Sequence, residues 1–284
     1  MQKNLTGDYD VRPDNVYQKG EPKNRAIIGS FLEKLMLPGS GIQGKENLKK
    51  LYELARSGKS CLLLIEHYSN FDYPALYRLI EKDPELGPEM AECLIPIQGM
   101  KLSATSVLTA SFSNSYTTIV IYPSRSIDSE QDPEKLAEIK ATSIPINHAA
   151  MRELTHRKYH GNIIIVFPAG TRYRPWDPES GKGVREIYTY LKAFDHVAFI
   201  GINGNLLVPC REDNMEKDTL QEDVILFTVS EPVSGKDFRQ EKSEEAPEGY
   251  DSKQYVVDQV MNELAGIHSE TEKNRQQMLK DRKG

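Results

Sequence analysis

Along the chain, short runs of mostly apolar residues alternate with longer stretches in which apolar residues recur every three or four positions. The short runs are typical of buried strands and the longer stretches of amphipathic helices. The predicted strands are residues 60–66, 117–122, 162–167, 196–202 and 223–230. The predicted helices are residues 26–37, 45–56, 74–82, 133–156, 184–194 and 252–283. This alternation predicts an α/β fold with a mixed, largely parallel central sheet flanked by helices, in which ligands bind beyond the carboxyl ends of the strands.

Two segments lack this periodicity. Residues 1–25 are polar and are predicted to be irregular, and residues 235–251 are dense in Lys, Glu, Gln, Ser, Pro and Gly, which predicts a solvated loop. We therefore expect residues 26–284 to form a single α/β domain with amino-terminal helices and a carboxyl-terminal helix. The helix at 26–37 is amphipathic with a small polar side. We interpret it as covering the core, with a membrane-surface helix as the alternative.

Composition narrows the class of protein. The 284 residues include 36 Lys and Arg against 42 Asp and Glu, a net charge of −6, which does not favour nucleic-acid binding. The longest clear apolar runs, 61–65 and 163–167, are far shorter than the roughly 18 residues that a spanning helix needs. The first residues lack the order of a secretory signal, and the three separated cysteines indicate neither a disulfide framework nor a zinc cluster. We expect a cytoplasmic protein without a metal or organic cofactor.

The first candidate site follows the strand at 60–66. Residues 66–74 connect that strand to a helix and contain His67 and Asp72, five positions apart. Across a turn from loop to helix the carboxylate can fold back onto the imidazole, fix its tautomer and leave the other ring nitrogen to take a proton from a hydroxyl group. The alternative is that Asp72 caps the helix and His67 is a polar loop residue.

The second candidate site follows the strand at 162–167. Gly170 permits a tight bend after the strand, and Arg172 and Arg174 come next, two positions apart. In an extended segment both guanidinium groups lie on one side, where they could bind a phosphate. Arg125, which also follows a strand, is a third candidate cation. The alternative for each arginine is a surface salt bridge.

Together these segments resemble the signatures of the glycerolipid acyltransferase superfamily, an H-x-x-x-x-D box followed by an F-P-E-G-T-R box. His67 and Asp72 match the first box, and residues 167–172 match the second except at Ala169, where the membrane-bound lysophosphatidate branch has glutamate. Residues 168–175 resemble the P-S-G-G-R-D-R-P box of the soluble, chloroplast-type glycerol-3-phosphate acyltransferases. The resemblance covers about residues 44–230, and it implies the fold of those enzymes.

The resemblance also implies a reaction and roles for the residues. A fatty acyl group would pass from an acyl carrier protein or coenzyme A thioester, the co-substrate, to the 1-hydroxyl of glycerol 3-phosphate, an early step of phospholipid synthesis. His67 would be the general base and Asp72 would stabilise its imidazolium form. Three arginines would bind the phosphate: Arg125, Arg172 and Arg174. Gly170 and Thr171 would stabilise the tetrahedral oxyanion or form the turn.

Partners and alternatives follow from this reading. An acidic acyl carrier protein would need a basic docking surface, for which Lys182, Arg185 and Lys192 are candidates, with a solvated helix face as the alternative. The location would be the cytoplasm, or the plastid stroma for a mature plastid chain, with peripheral membrane contact as a further expectation. The rival functions are a lysophosphatidate or other lysolipid acyltransferase at a membrane surface, a non-catalytic phospholipid- or phosphate-binding module, and, ranked last, a phosphohydrolase.

Overall fold

A computed structural model describes residues 11–100, 115–123, 127, 131–212 and 217–282. These residues form eleven strands and eight α-helices. The strands are β1 (Tyr17–Gln18), β2 (Gly41–Gln43), β3 (Cys61–Ile65), β4 (Leu94–Gly99), β5 (Thr118–Ile121), β6 (Ile163–Val166), β7 (His196–Asn203), β8 (Leu207–Val208), β9 (Thr219–Leu220), β10 (Leu226–Val229) and β11 (Val233–Ser234). The helices are α1 (Pro22–Leu35), α2 (Lys45–Arg56), α3 (Asp72–Lys82), α4 (Gly87–Cys93), α5 (Pro133–Lys158), α6 (Ile187–Ala193), α7 (Gly235–Glu244) and α8 (Ser252–Asp281).

The centre of the molecule is a nine-stranded mixed sheet. Its strands follow the order β1-β5-β4-β6-β3-β7-β10-β2, and β11 also pairs with β7. The five strands β5, β4, β6, β3 and β7 are parallel to one another, whereas β1 is antiparallel to β5 and β10 is antiparallel to β7. The α/β fold with a mixed, largely parallel sheet is therefore confirmed.

Strand β3 lies between β6 and β7 in the parallel block and positions the site. All five of its residues are buried, because alternate side chains enter two separate apolar cores on opposite faces of the sheet. Leu63 and Ile65 pack in the core that includes helices α1 to α4, and Leu62 and Leu64 pack in the core that includes α5, α6 and α8. Leu64 is paired with Val166 of β6, so the two strands end side by side.

Most predicted elements are present with shifted ends, and α2 has the predicted bounds. The solvated loop predicted at 235–251 is wrong over most of its length, because Gly235–Glu244 is helix α7. Ser234 caps that helix by accepting a hydrogen bond from the Asp237 N–H, and Phe238 packs against Phe199. Tertiary contacts thus support a helix that the polar composition does not predict.

Besides α7, seven elements were not predicted: helix α4 and the strands β1, β2, β4, β8, β9 and β11. Strand β1 lies within residues 1–25, which we predicted to be irregular, and helix α1 begins at Pro22 rather than at Ala26. Strand β4 follows α4 without a turn-forming segment, and Pro96 interrupts its apolar run, so the usual sequence signals are missing. Within the described ranges no helix is both long and apolar enough to cross a membrane.

Candidate functional site

His67 lies two residues beyond the end of β3, and Asp72 is the first residue of α3. The two side chains meet across the intervening loop, with His67 Nδ1 2.9 Å from Asp72 Oδ2. The Asp72 side chain is 2% exposed and the His67 side chain 19%. The sequence prediction that the carboxylate folds back onto the imidazole is therefore confirmed as a contact.

The Asp72 carboxylate accepts several hydrogen bonds from the loop that precedes it. Its Oδ2 accepts from the Tyr68 N–H at 2.6 Å and the Ser69 N–H at 2.9 Å, and its Oδ1 accepts from the Ser69 hydroxyl at 2.9 Å. Because each of these partners is a donor, the carboxylate serves as an acceptor throughout, and the proton of the fourth hydrogen bond belongs to His67 Nδ1. The tautomer of His67 that fits this arrangement carries its free lone pair on Nε2.

The position of the His67 ring is fixed on a second side. The ring stacks on Phe167, with centroids 4.2 Å apart and planes at 26°. Among the described residues no group hydrogen-bonds to Nε2. A partly exposed imidazole with an oriented Nδ1–H and an available Nε2 lone pair has the geometry of a general base.

The alternative hypothesis, in which Asp72 caps α3, does not match the hydrogen bonds that the Asp72 carboxylate accepts. The residue before the helix is Phe71, and no side chain caps the helix there. Asp72 instead binds N–H groups upstream, in residues 68 and 69. Its charge still lies in the first helical turn, where the helix dipole favours a negative group.

The segment after β6 touches the His67 loop directly. The Tyr173 N–H donates to the His67 carbonyl oxygen at 2.7 Å, and Phe167, the first residue after β6, is the stacking partner of the imidazole. The contact arises because β3 and β6 are adjacent parallel strands that end at the same edge of the sheet. The two candidate sites predicted from the sequence therefore meet at one edge.

The Arg172 side chain is buried and already forms an ion pair, which phosphate binding by itself would not require. Its Nη1 donates to Asp218 Oδ2 at 2.5 Å, and the two side chains are 9% and 1% exposed. Asp218 Oδ1 also accepts from the Cys210 N–H at 2.9 Å. Of the alternatives considered for this arginine, a salt bridge is present, but it is a buried pair rather than a surface pair.

The backbone of Arg174 forms a turn after β6. The Arg174 backbone N–H donates to the Ser180 hydroxyl at 2.8 Å, and the Arg174 carbonyl accepts from the Asp177 N–H, which closes a turn. Arg174 is partly exposed. Arg125 lies outside the described residues.

Gly170 and Thr171 form the bend between β6 and the arginines. Gly170 has a φ of +65°, and its N–H donates to the Phe167 carbonyl at 2.9 Å. A left-handed conformation of this kind favours glycine because a side chain would be strained. Of the two roles considered for Gly170, the turn is the one that the geometry shows. Thr171, the next residue, is partly exposed.

Sequence reasoning missed several residues that hold this site together. Ser69 is 1% exposed, and its hydroxyl accepts from the Phe71 N–H while it donates to Asp72. A serine two positions before Phe71, in a loop that ends at a helix, is a signal for such a turn. Asp218 has no comparable signal, because it lies 46 residues from Arg172.

The candidate docking cations do not share one helix face. Helix α6 begins at Ile187, so Lys182 and Arg185 precede it, and each pairs with an acid, Glu179 and Asp251 respectively. Arg185 and Lys192 do line one open surface cavity of about 410 Å³ together with Lys253.

Comparison with known proteins gives no family assignment: no protein-family model matches the chain, and no curated protein sequence matches it. Within the described ranges no cluster of three or more His, Cys, Asp or Glu side chains could hold a metal ion. Burial raises the pKa of Cys61 and of Cys93 to about 12 each, which keeps both thiols protonated.

Proposed function

We propose that the protein is an acyltransferase that moves a fatty acyl group from a thioester to the 1-hydroxyl of glycerol 3-phosphate. The observation that carries this proposal is the joining of two segments at one sheet edge. An oriented imidazole–carboxylate pair and an arginine-bearing turn lie in hydrogen-bond contact through Tyr173 and His67. This pairing of a base with cations suits an acceptor that has both a hydroxyl and a phosphate. The glycerol-3-phosphate acyltransferase type of α/β fold is part of the proposal.

In this reaction His67 carries one proton from the acceptor hydroxyl to the leaving thiolate. His67 Nε2 takes the proton of the acceptor hydroxyl while the oxygen attacks the thioester carbonyl, so that a C–O bond forms. Asp72 stabilises the resulting imidazolium through the Nδ1–H bond of 2.9 Å. The tetrahedral intermediate then breaks its C–S bond, and the imidazolium returns the proton to the leaving thiolate. The His67 side chain therefore ends the cycle neutral, and no acyl-enzyme forms.

The acceptor phosphate would bind at the arginine-bearing turn. Arg174, partly exposed, supplies a cation there, and Arg125 remains a candidate from its sequence position. Arg172 uses Nη1 for Asp218, and a guanidinium group carries five N–H donors in all, so it can bind a phosphate while Asp218 fixes its orientation. Binding the phosphate places the hydroxyl at His67 and turns an encounter of two molecules into an oriented reaction.

The acyl donor is a thioester of acyl carrier protein or of coenzyme A. The cavity that Arg185, Lys192 and Lys253 line is the candidate docking surface for an acidic carrier protein. We place the enzyme in the cytoplasm, or in the plastid stroma if it is a mature plastid chain.

A second candidate function, acyl transfer to lysophosphatidate at a membrane surface, is favoured by one observation. Ile27 and Phe31 are one turn apart on α1 and are 69% and 38% exposed. Phe31 packs edge-on against Phe71, with ring centroids 6.2 Å apart, and Phe71 directly precedes Asp72. Exposed apolar side chains that reach Phe71, the residue before Asp72, would suit an acceptor that carries an acyl chain.

One assay separates these functions. The pure protein is incubated with an acyl thioester, of carrier protein or of coenzyme A, and with labelled glycerol 3-phosphate or lysophosphatidate, and the products are identified. We expect 1-acylglycerol 3-phosphate from the first acceptor. Product from lysophosphatidate alone would select the second function. Binding of either acceptor without any product from any thioester would indicate a non-catalytic binding module.

A further inference from the structure

A second histidine–carboxylate pair lies directly behind the His67 loop. His268, on α8, places Nδ1 3.0 Å from Glu66 Oε2, and Glu66 directly precedes His67 in the chain. The same Glu66 oxygen accepts from the Ile202 N–H at 2.7 Å, so the carboxylate bridges strand β7 and helix α8. The Glu66 side chain is thereby held by two elements.

Tyr68, on the other side of His67, joins this pair. Its hydroxyl donates to Glu66 Oε1 at 2.9 Å and lies 3.2 Å from His268 Nδ1. Burial, with the neighbouring Glu66 carboxylate, raises the pKa of the Tyr68 hydroxyl above its ordinary value, so the hydroxyl stays protonated and remains a donor. The side chains of residues 66 and 68 are thus tied together across His67.

Tyr68 also contacts both halves of the candidate site. Its backbone N–H donates to Asp72 Oδ2, the oxygen that His67 Nδ1 contacts. Its ring packs edge-on against Tyr173, with centroids 5.9 Å apart. Tyr173 lies between the two arginines and is the residue whose N–H binds the His67 carbonyl. Rotation of Tyr68 would therefore disturb the base and the turn together.

We infer that Tyr68, held by Glu66 and by His268, is a positioning residue that keeps the His67–Asp72 pair aligned with the turn at Arg172 and Arg174. The inference rests on the proposed function for its kinetic consequence, although the alignment itself does not need substrate. Helix α8 then contributes to the site from a distance of 200 residues along the chain. Besides Glu66 and Tyr68, the Ile202 backbone and the Glu272 carboxylate act on the His268 imidazole, and Asn203 donates to the His268 carbonyl oxygen and to Glu272.

The test uses the full-length Tyr68→Phe variant, which removes the hydroxyl and retains the ring and the backbone N–H. We expect kcat to fall about ten- to a hundredfold, as for a displacement of reacting groups, with little change in the KM for glycerol 3-phosphate. The His268→Gln variant should lower kcat in the same way, and the double variant should lose less than the product of the two losses. Tyr250→Phe is the matched control, because its hydroxyl binds Asp258 at the surface.

A second readout does not depend on catalysis. The imidazole signals of His67 in the nuclear magnetic resonance spectrum should shift in Tyr68→Phe and in His268→Gln, and not in Tyr250→Phe. If the wild-type protein transfers no acyl group and these signals still shift, the positioning role stands and the proposed function fails. Unchanged kcat together with unchanged His67 signals in Tyr68→Phe would overturn the inference.

Discussion

The loops after β3 and β6 leave the sheet side by side, yet their charged side chains find partners at very different distances along the chain. His67 is held by Asp72, five residues away in the same loop-to-helix connection. Arg172 is held by Asp218, 46 residues away. The first pair leaves a ring nitrogen available beside a partly exposed surface, whereas the second largely neutralises a buried cation. Under the proposed function, the loop after β3 would carry the chemistry, and the loop after β6 would bind the phosphate and support the structure.

The largest effect on activity should come from a substitution in the loop after β3. In His67→Ala, acyl transfer should fall by about 10²- to 10⁴-fold, because the general base is lost. Binding of glycerol 3-phosphate, measured by calorimetry, should change little, since the arginines and Asp72 remain. His148→Ala removes an exposed histidine of α5 and is the control. Wild-type turnover in His67→Ala would show that His67 is not the general base.

On the β6 side the largest effect should be on stability. Asp218→Ala leaves the Arg172 charge buried without its partner, and it should lower the free energy of unfolding by roughly 3–5 kcal/mol. Urea unfolding measures the loss. The matched control is Glu179→Ala, which breaks an exposed pair with Lys182 and should cost less than about 1 kcal/mol. Equal losses in the two variants would show that the buried Arg172–Asp218 pair stabilises the protein no more than an exposed pair does.

The binding role of Arg172 can be separated from its structural role. The double variant Arg172→Met, Asp218→Leu replaces the buried pair with apolar side chains, so much of the stability lost in Asp218→Ala should return. The KM for glycerol 3-phosphate should nevertheless rise about ten- to a hundredfold, the equivalent of one charge-assisted hydrogen bond. Steady-state kinetics over a range of acceptor concentrations provides the measurement. An unchanged KM would leave Arg172 a purely structural residue.

The smallest effect concerns the pH dependence of stability. The hydrogen bond to Glu66 raises the pKa of His268 above its ordinary 6.5, against the opposing effect of burial. A group whose pKa is raised by folding stabilises the folded state fully below its unfolded value, and this contribution is lost as the pH rises through the folded value. Unfolding measured at about pH 6 and about pH 9 should therefore show a larger decrease for the wild type than for His268→Gln. The same decrease in both proteins would contradict the assignment.

The parts of the fold that could be predicted are those with a local signal. The apolar run of β3 and the helical spacing of α2 are each visible within a short stretch of sequence, and Asp72 lies five residues from His67. Helix α7 could not be predicted from its polar composition, because its place depends on the packing of Phe238 on Phe199.

The site shows the same division between local and distant contacts. The meeting of the two loops follows from adjacent parallel strands, which the alternation of strands and helices made a reasonable expectation. The partners of Arg172 and Glu66, by contrast, lie 46 and 202 residues away. No spacing rule links residues so far apart, so the buried pair and the His268 contact emerge only from the folded chain.

The most direct test of the account is a crystal structure of the protein with glycerol 3-phosphate bound. The account predicts that the 1-hydroxyl lies about 2.6–3.2 Å from His67 Nε2 while the phosphate contacts the guanidinium groups of the turn after β6. A phosphate bound away from Arg172 and Arg174, or a hydroxyl that faces away from His67, would contradict it.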